Sequence, residues 1–163
     1  MNDLLIIRGA PGVGKSSVGK LLAQYYKDGV TIEIDEVRRM INSVTWANIR
    51  EHLNAIEATK ALVISYLQSK YAPVIVIDTL SHGTIKMIID QIPFETTCKT
   101  ISLIATEAKI RERIIERNEG FMDCETSFKV NTAIINETLE NNLLIDTTDL
   151  TVTEVFEKII QVE

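Results

Sequence analysis

Eight residues near the N-terminus have the types and the spacing needed to bind phosphate. The segment from Gly9 to Ser16, GAPGVGKS, matches the pattern G-x-x-x-x-G-K-[ST] in full. Its glycines let the backbone turn tightly and point several N–H groups into one concavity, where a polyphosphate would bind. The predicted nucleotide-binding residues are Gly9, Ala10, Pro11, Gly12, Val13, Gly14, Lys15, Ser16 and Ser17.

Two side chains of this loop carry separate chemistry. Lys15 would place an ammonium group on the β- and γ-phosphates of a nucleotide, which makes it a candidate catalytic residue. Ser16 would supply a hydroxyl ligand to Mg²⁺. The helix predicted to begin at Lys15 adds the positive end of its dipole. The structural alternative is a glycine-rich turn that only joins a strand to a helix.

Short apolar runs alternate with helical patterns along the chain, and these elements would position the loop. The predicted strands cover residues 4–7, 31–34, 74–77, 100–105 and 143–145. The predicted helices cover residues 15–27, 46–69, 107–118 and 127–141, and a last helix follows a capping-box pattern at Thr151 and Glu154. This order predicts an α/β fold, with a parallel five-stranded sheet as the middle of three layers.

Aspartates follow three of the predicted strands, at Asp35, Asp78 and Asp146, and the first two are candidates for the site. Asp35 comes after residues 31–34, and Asp78 comes after residues 74–77. Because ligands bind beyond the carboxyl ends of parallel strands, both carboxylates are expected near the loop. A carboxylate there would orient an attacking hydroxyl or hold Mg²⁺. Two structural alternatives are that Asp35 caps a helix beginning at Glu36 and that Asp78 caps the turn into residues 81–83.

The composition is that of an ordinary globular chain. Its 163 residues fit one domain, so residues 1–163 are expected to share one core. The net charge of −6 argues against a nucleic-acid partner, because long nucleic acids usually bind to basic faces. No apolar run approaches the length of a membrane span, and the N-terminus is unlike a secretory signal. We therefore expect a cytoplasmic protein without membrane contacts.

The segment RGAPGVGKSSVGKLLA, followed by a second strand that leads into IDEVRR, resembles the small P-loop kinases. This group includes nucleoside monophosphate kinases, shikimate and gluconate kinases, and the kinase domain of polynucleotide kinase. The resemblance covers nearly the whole chain as an order of elements, although only the loop is highly specific. It implies the P-loop NTPase fold with strand order 2-3-1-4-5, and it implies ATP and Mg²⁺ as cofactors.

The resemblance also implies roles on the acceptor side. In the resembling kinases, an aspartate at the place of Asp35 accepts the proton of the attacking hydroxyl, and an arginine at the place of Arg38 holds the acceptor. Asp78 would have a Walker-B-like role on Mg²⁺, together with Ser16. The segment VIVIDTLSH is similar to a stretch of polynucleotide kinase, which makes Asp78 and Thr79 candidate substrate-binding residues.

Arginines on the predicted helix 107–118 are candidates for the transferring phosphoryl group. Arg113 and Arg117 are four residues apart and share one helix face, and a guanidinium suits a phosphoryl group because it is planar and always charged. In the resembling kinases this helix leads into a short lid, here near residues 117–126, whose arginines close over the phosphates. The alternative is a salt-bridged surface helix, since acidic residues alternate with the arginines.

Residues Thr147 and Thr148 follow the last predicted strand. In shikimate- and gluconate-type kinases the backbone near this turn packs on the adenine, so the resemblance implies that both threonines contact the edge of the base.

These patterns favour an ATP-dependent phosphotransferase, which moves the γ-phosphate of Mg-ATP to a small-molecule acceptor such as a nucleotide, a sugar acid or another metabolite hydroxyl. One alternative is a polynucleotide 5′-hydroxyl kinase, suggested by IDEVRR and VIVIDT. The other is a nucleotide-dependent regulatory NTPase, although the N-K-x-D motif typical of GTPases does not occur. The patterns select neither one acceptor nor an oligomeric state.

Overall fold

A computed structural model of the chain describes residues 2–117, 121–137 and 139–162. Within these residues it has five strands and seven helices. The strands are β1 (Leu4–Gly9), β2 (Val30–Glu33), β3 (Val74–Asp78), β4 (Cys98–Ile104) and β5 (Asn142–Asp146). The helices are α1 (Lys15–Tyr25), α2 (Ile34–Arg39), α3 (Ile49–Gln68), α4 (His82–Ile89), α5 (Glu107–Arg117), α6 (Cys124–Asn136) and α7 (Val152–Ile160).

The strands form one parallel sheet in the order β2-β3-β1-β4-β5. All six residues of β1 are buried, as expected for a central strand with both faces covered. Leu4 lies opposite Val74 of β3 and Cys98 of β4, and Gly9 lies opposite Leu103 at the carboxyl end. The predicted α/β class, the three layers and the strand order 2-3-1-4-5 are confirmed.

Alternate side chains of β1 face two separate hydrophobic cores. Leu5 and Ile7 belong to the core that α1, α5 and α7 cover, and Leu4 and Ile6 belong to the core that α2, α3 and α4 cover. Burying each such side chain stabilises the fold by about 1.5–3 kcal/mol. The helical side chains of the first core include Val18, Leu22, Ile110, Ile114, Val155 and Ile159, and those of the second include Ile34, Val37, Ile56, Val63, Ile85 and Ile88.

Capping residues shift the bounds of two predicted helices. The helix predicted over residues 46–69 begins at Ile49, because the Asn48 side chain accepts a hydrogen bond from the N–H of Arg50. The helix predicted over residues 127–141 is α6, which Asp123 caps and which ends at Asn136. The predicted capping box at the start of α7 is confirmed. The predicted end of helix 107–118 lies outside the described residues.

Two further differences from the prediction lie in elements that pack on the second core, at the junction of β2 with α2 and at α4. Strand β2 ends at Glu33, and Ile34, predicted as its last residue, begins α2. Helix α4 was not predicted; Ser81 caps it by accepting a hydrogen bond from the N–H of Thr84. Gly83 in its first turn lowers the local helix preference that sequence patterns detect. Among the described residues, no helix combines the length and the apolar character needed to cross a membrane.

Candidate functional site

The loop between β1 and α1 has the backbone of a phosphate cradle. Gly12 and Gly14 have φ values of 91° and 100°, a backbone conformation that residues other than glycine rarely adopt. Gly14 is the N-cap residue of α1 and forms no side-chain capping hydrogen bond. Because the first N–H groups of a helix have no intrahelical partner, the start of α1 is suited to an anion.

The loop is packed closely against the elements on either side. A Cβ atom on Gly9 would lie 2.6 Å from the carbonyl oxygen of Leu103 in β4, which is closer than real Cβ atoms approach. A Cβ on Gly12 would lie 3.1 Å from a side-chain carbon of Ile114 in α5. The loop is therefore held between the end of β4 and α5, and the absence of a side chain at Gly9 is needed for that fit.

The Lys15 side chain folds back over the loop. Its Nζ donates hydrogen bonds to the carbonyl oxygen of Ala10 at 3.1 Å and to Oγ1 of Thr79 at 3.4 Å. Thr79 Oγ1 in turn donates to the carbonyl oxygen of Gly9 at 3.0 Å. Burial lowers the pKa of Lys15 to about 8, and the charges of Asp78 and Asp35 oppose that shift. The predicted substrate residue Thr79 thus joins β3 to the phosphate loop.

The lowered pKa of Lys15 predicts that nucleotide binding takes up a proton. The free side chain is charged below pH 8 and loses its proton above it, and bound phosphates favour the ammonium form. Nucleotide affinity should be nearly constant below pH 8 and fall at higher pH, by at most about tenfold per pH unit. Calorimetry in two buffers of different ionisation enthalpy measures the uptake. Equal heats in both buffers at pH 9 would contradict the prediction.

Asp78 is a buried carboxylate at the end of β3. Its Oδ1 accepts a hydrogen bond from the N–H of Thr79 at 2.7 Å, and its buried Oδ2 has no hydrogen-bond partner among the described residues. Burial raises the pKa of Asp78 and the charge of Asp35 raises it further, whereas His52 and Lys15 lower it. Asp78 caps no helix, since α4 is capped by a different residue. The structure therefore groups Asp78 with Lys15, Asp35 and His52.

Asp35 lies in the first turn of α2 and its side chain is exposed. The N-cap residue of α2 is Glu33, so the alternative in which Asp35 caps a helix starting at Glu36 is wrong. The negative charge of Asp35 raises the pKa of both Lys15 and Asp78. An exposed carboxylate therefore faces the same loop as the buried one.

Two residues of this group were missed in the sequence. Glu33, the last residue of β2, accepts a hydrogen bond from Oγ of Ser16 at 2.8 Å. The charge of His52, on α3, lowers the pKa of Asp78. The only available signal for Glu33 was its place two residues before Asp35. His52 had no signal, because its helix is distant in sequence and only packing brings it to the sheet edge.

Arg38 is used differently from the expectation. Its side chain is buried, and Nη2 donates to the carbonyl oxygens of Thr45, Trp46 and Asn48 at 2.9, 3.0 and 2.9 Å. The guanidinium also lies 5.0 Å from the centroid of the Trp46 ring. These contacts hold the segment that joins α2 to α3, so the described Arg38 presents no open guanidinium. Acceptor binding by Arg38 stays a prediction that would need this segment to rearrange.

Arg113 likewise contacts protein groups. Its Nη1 donates to Oγ1 of Thr147 at 3.0 Å, and its Nη2 donates to the carbonyl oxygen of Thr147 at 2.7 Å. The Thr147 hydroxyl lies 3.1 Å from the carbonyl oxygens of Val13 and Ile104. Thr147 is buried and its hydroxyl makes hydrogen bonds within the protein, which differs from the expected contact with a base edge. Thr148 Oγ1 accepts a hydrogen bond from the N–H of Thr106. Arg113 and Thr147 therefore connect α5 to the phosphate loop.

The Thr147→Val variant should be less stable than Thr147→Ser. Valine has nearly the shape of threonine, but it leaves buried polar partners of the hydroxyl unpaired, at a cost of about 1–3 kcal/mol. Serine keeps the hydroxyl, so it is the matched control. Denaturant titration measures the free energy of unfolding of both variants. Equal values for the two would show that the hydroxyl contributes little.

Arg117, at the end of α5, lies near the loop. Its positive charge lowers the pKa of Lys15. Its Nη2 donates a hydrogen bond to the carbonyl oxygen of Phe121 at 2.7 Å. The predicted lid, residues 117–126, is only partly described, since residues 118–120 lie outside the described residues. Arg111 pairs with Glu125 at 3.3 Å, as in the surface-helix alternative. Of the lid arginines, Arg117 is placed toward the phosphate loop and Arg113 toward Thr147.

The phosphate loop after a central strand, in a parallel sheet of this order, defines a P-loop NTPase fold of the small-kinase type. Residues 4–141 match the model of a protein family described as an AAA domain. The chain therefore belongs to that family. No curated protein matches the sequence.

Solved structures share this fold at low sequence identity. A gluconokinase from Sinorhizobium meliloti 1021 is 19% identical, with a TM-score of 0.70, over 98% of this chain and 90% of that one. A shikimate kinase from Acinetobacter baumannii, in complex with shikimate, is 16% identical, with a TM-score of 0.65, over 99% and 93%. A chain of the Pnkp1/Rnl/Hen1 RNA repair complex is 21% identical, with a TM-score of 0.67, over 81% and 43%.

Proposed function

We propose that this protein is an ATP-dependent phosphotransferase, which transfers the γ-phosphate of ATP to a hydroxyl or phosphate of a small acceptor. One observation carries the proposal: the ammonium of Lys15 lies over the phosphate loop, hydrogen-bonded to Ala10 and Thr79, where the charges of Asp78 and Asp35 raise its pKa. The loop is the donor site of such an enzyme, and carboxylates at the neighbouring strand ends are its acceptor side. The two halves of the reaction therefore share one edge of the sheet.

The donor half consists of backbone and one cation. The start of α1 and the glycine loop present N–H groups to phosphate oxygens. Lys15 neutralises charge on the β- and γ-phosphates, and its partial burial means that few waters compete for it. Arg117 adds a second positive charge close to the loop. Phosphoryl transfer depends mostly on such positioning and charge stabilisation.

The acceptor half depends on Asp35. Its exposed carboxylate would accept a hydrogen bond from the acceptor hydroxyl and then take up its proton. The acceptor oxygen forms a bond to the γ-phosphorus while the bond from that phosphorus to the β,γ-bridging oxygen breaks. The products are ADP and the phosphorylated acceptor, and the proton on Asp35 passes to solvent.

The oxygen groups at this edge fit Mg²⁺. Proteins usually bind Mg²⁺ through one or two side chains together with substrate phosphates and waters. The side-chain oxygens that would hold it are Oγ of Ser16, at the start of α1, and Oδ2 of Asp78, which has no partner in the part of the chain that the structure describes. When bound, the ion neutralises charge on the β- and γ-phosphates.

An ATP-consumption screen tests the proposal. Purified protein with Mg-ATP is incubated with panels of sugar acids, other hydroxylated metabolites, nucleosides and nucleoside monophosphates. We expect one acceptor class to stimulate ADP formation, and mass spectrometry should find that acceptor heavier by one phosphoryl group. Turnover that is the same with and without every acceptor would instead support a nucleotide-dependent regulatory NTPase.

A polynucleotide 5′-hydroxyl kinase is the second candidate, supported by an exposed aromatic side chain beyond α2. About half of the Trp46 surface is exposed, and the guanidiniums of Arg38 and Arg39 lie 5.0 and 5.5 Å from its ring centroid. Aromatic rings beside arginines are suited to stacking on unpaired bases. An oligonucleotide with a 5′-hydroxyl belongs in the same screen. Stimulation by the oligonucleotide, without stimulation by mononucleosides, would favour this candidate.

A further inference from the structure

The hydroxyl of Ser16 is already held by a residue outside the phosphate loop. Its Oγ donates a hydrogen bond to Oε2 of Glu33 at 2.8 Å. A serine hydroxyl has one proton to donate and two lone pairs that accept. Because the proton is directed to Glu33, both lone pairs stay available to another group, such as a cation. The carboxylate therefore sets the orientation of the Ser16 hydroxyl.

Glu33 ends a strand next to the strand that carries Asp78. Glu33 lies opposite Ile77 in the register of β2 with β3, and Ile77 immediately precedes Asp78. Its charge also acts on Lys15 and favours the ammonium form. Glu33 thus lies close to both groups of the loop that would meet the terminal phosphates, the Ser16 hydroxyl and the Lys15 ammonium.

The hydroxyl of Ser16 donates its hydrogen bond to Glu33 and not to the buried carboxylate of Asp78. Its Oδ1 accepts from the N–H of Thr79, and its Oδ2 has no hydrogen-bond partner among the described residues. The two carboxylates therefore have separate tasks. Glu33 orients Ser16, whereas Asp78 keeps one oxygen that no donor among the described residues reaches.

We propose that Glu33 is a positioning residue that makes nucleotide binding at the loop depend on the metal ion. Through Ser16 it orients a ligand for Mg²⁺, and its negative charge attracts the cation. The same charge repels the phosphates of a nucleotide without metal. Glu33 therefore strengthens binding of the magnesium complex and weakens binding of free ATP. This inference rests on the proposed function, since it requires a nucleotide at the loop.

Three variants separate charge from orientation. Glu33→Gln keeps an oxygen that can accept from Ser16 but removes the charge. Glu33→Asp keeps the charge but withdraws the carboxylate from Ser16 by one methylene. Glu36→Gln is the matched control. Glu36 is exposed in the first turn of α2, which Glu33 precedes, and its carboxylate pairs with Arg39. This variant removes the same negative charge from a side chain that does not bond to Ser16.

Calorimetry of ATP binding, with EDTA and with Mg²⁺, is the readout, and it requires no turnover. For Glu33→Gln we expect tighter binding of metal-free ATP and weaker binding of Mg-ATP, so that the ratio of the two affinities changes by about tenfold. For Glu33→Asp we expect weaker Mg-ATP binding with metal-free affinity unchanged. Electron paramagnetic resonance with Mn²⁺ should show weaker metal binding to the ATP complex of both variants. Glu36→Gln should match the original protein.

The outcomes distinguish this inference from the proposed function. Opposite changes in the two affinities for Glu33→Gln support the positioning role, because a purely structural residue would shift both affinities in the same direction. Parallel changes, or no change, in both Glu33 variants overturn it while the nucleotide site stands. If the original protein binds neither free ATP nor Mg-ATP, the proposed function fails and the inference with it.

Discussion

Replacing Lys15 with alanine should reduce phosphoryl transfer by about 100- to 1,000-fold, the usual effect of removing one group that stabilises transition-state charge. The ammonium lies over the loop, bonded to Ala10 and Thr79, where the β- and γ-phosphates would bind. The fold should persist, since the variant removes a partly buried cation and leaves the hydrophobic cores unchanged. Steady-state kinetics with the acceptor from the screen, together with a thermal melt, measure both effects.

Lys20→Ala is the control for this variant. Lys20 is exposed on α1, so its replacement removes the same charge from the same helix away from the loop. Its rate should stay close to that of the original protein. A rate for Lys15→Ala that is equally close would show that the loop assignment is wrong.

Asp35→Asn should lower kcat by about 100- to 10,000-fold, the range typical of a lost general base. Asparagine has nearly the same shape but cannot take up the proton of the acceptor hydroxyl. ATP affinity should change far less than kcat, because Asp35 is part of α2 and not of the phosphate loop. Separate measurements of kcat and of ATP binding by calorimetry give the comparison.

Asp35→Asn also removes a negative charge from the start of α2, and its effect on stability must be distinguished from the effect on kcat. Asp35 and Glu36 both lie in the first turn of α2, where a negative charge stabilises a helix by about 0.3–1 kcal/mol. Glu36→Gln should therefore show a similar small decrease in Tm with kcat unchanged. Equal decreases of kcat and ATP affinity in Asp35→Asn would indicate a structural role instead.

The sheet and the phosphate loop follow from local patterns. An apolar run such as residues 74–77, with every residue buried, has few alternatives to a central parallel strand. The bounds were less accurate where a single cap decided them, as at Asn48 and Asp123, because hydrogen bonds to backbone N–H groups outweigh a periodic pattern at helix ends. Helix α4 was missed because Gly83 in its first turn lowers the local helix preference, while Ser81 caps its start.

The candidate site was only partly predictable. Asp35 and Asp78 were identified because each follows a strand, and strand ends of a parallel sheet meet at one edge. Arg38 was chosen from the resemblance and Arg113 for its charge and its place on the helix, but the structure shows their hydrogen bonds to backbone carbonyls and to Thr147. A guanidinium has several donors, and which acceptors it meets depends on elements far away in the sequence.

The sequence by itself therefore determined the five strands, the phosphate loop and the two aspartates, since each depends on residues that are neighbours in the chain. Only the tertiary structure decided that Glu33 accepts a hydrogen bond from Ser16, that the charge of His52 lowers the pKa of Asp78 and that Thr147 joins Arg113 to the loop. The physical reason is that hydrogen bonds and charge interactions act over a few ångströms. Folding brings these partners to that distance from positions 17 to 134 residues apart.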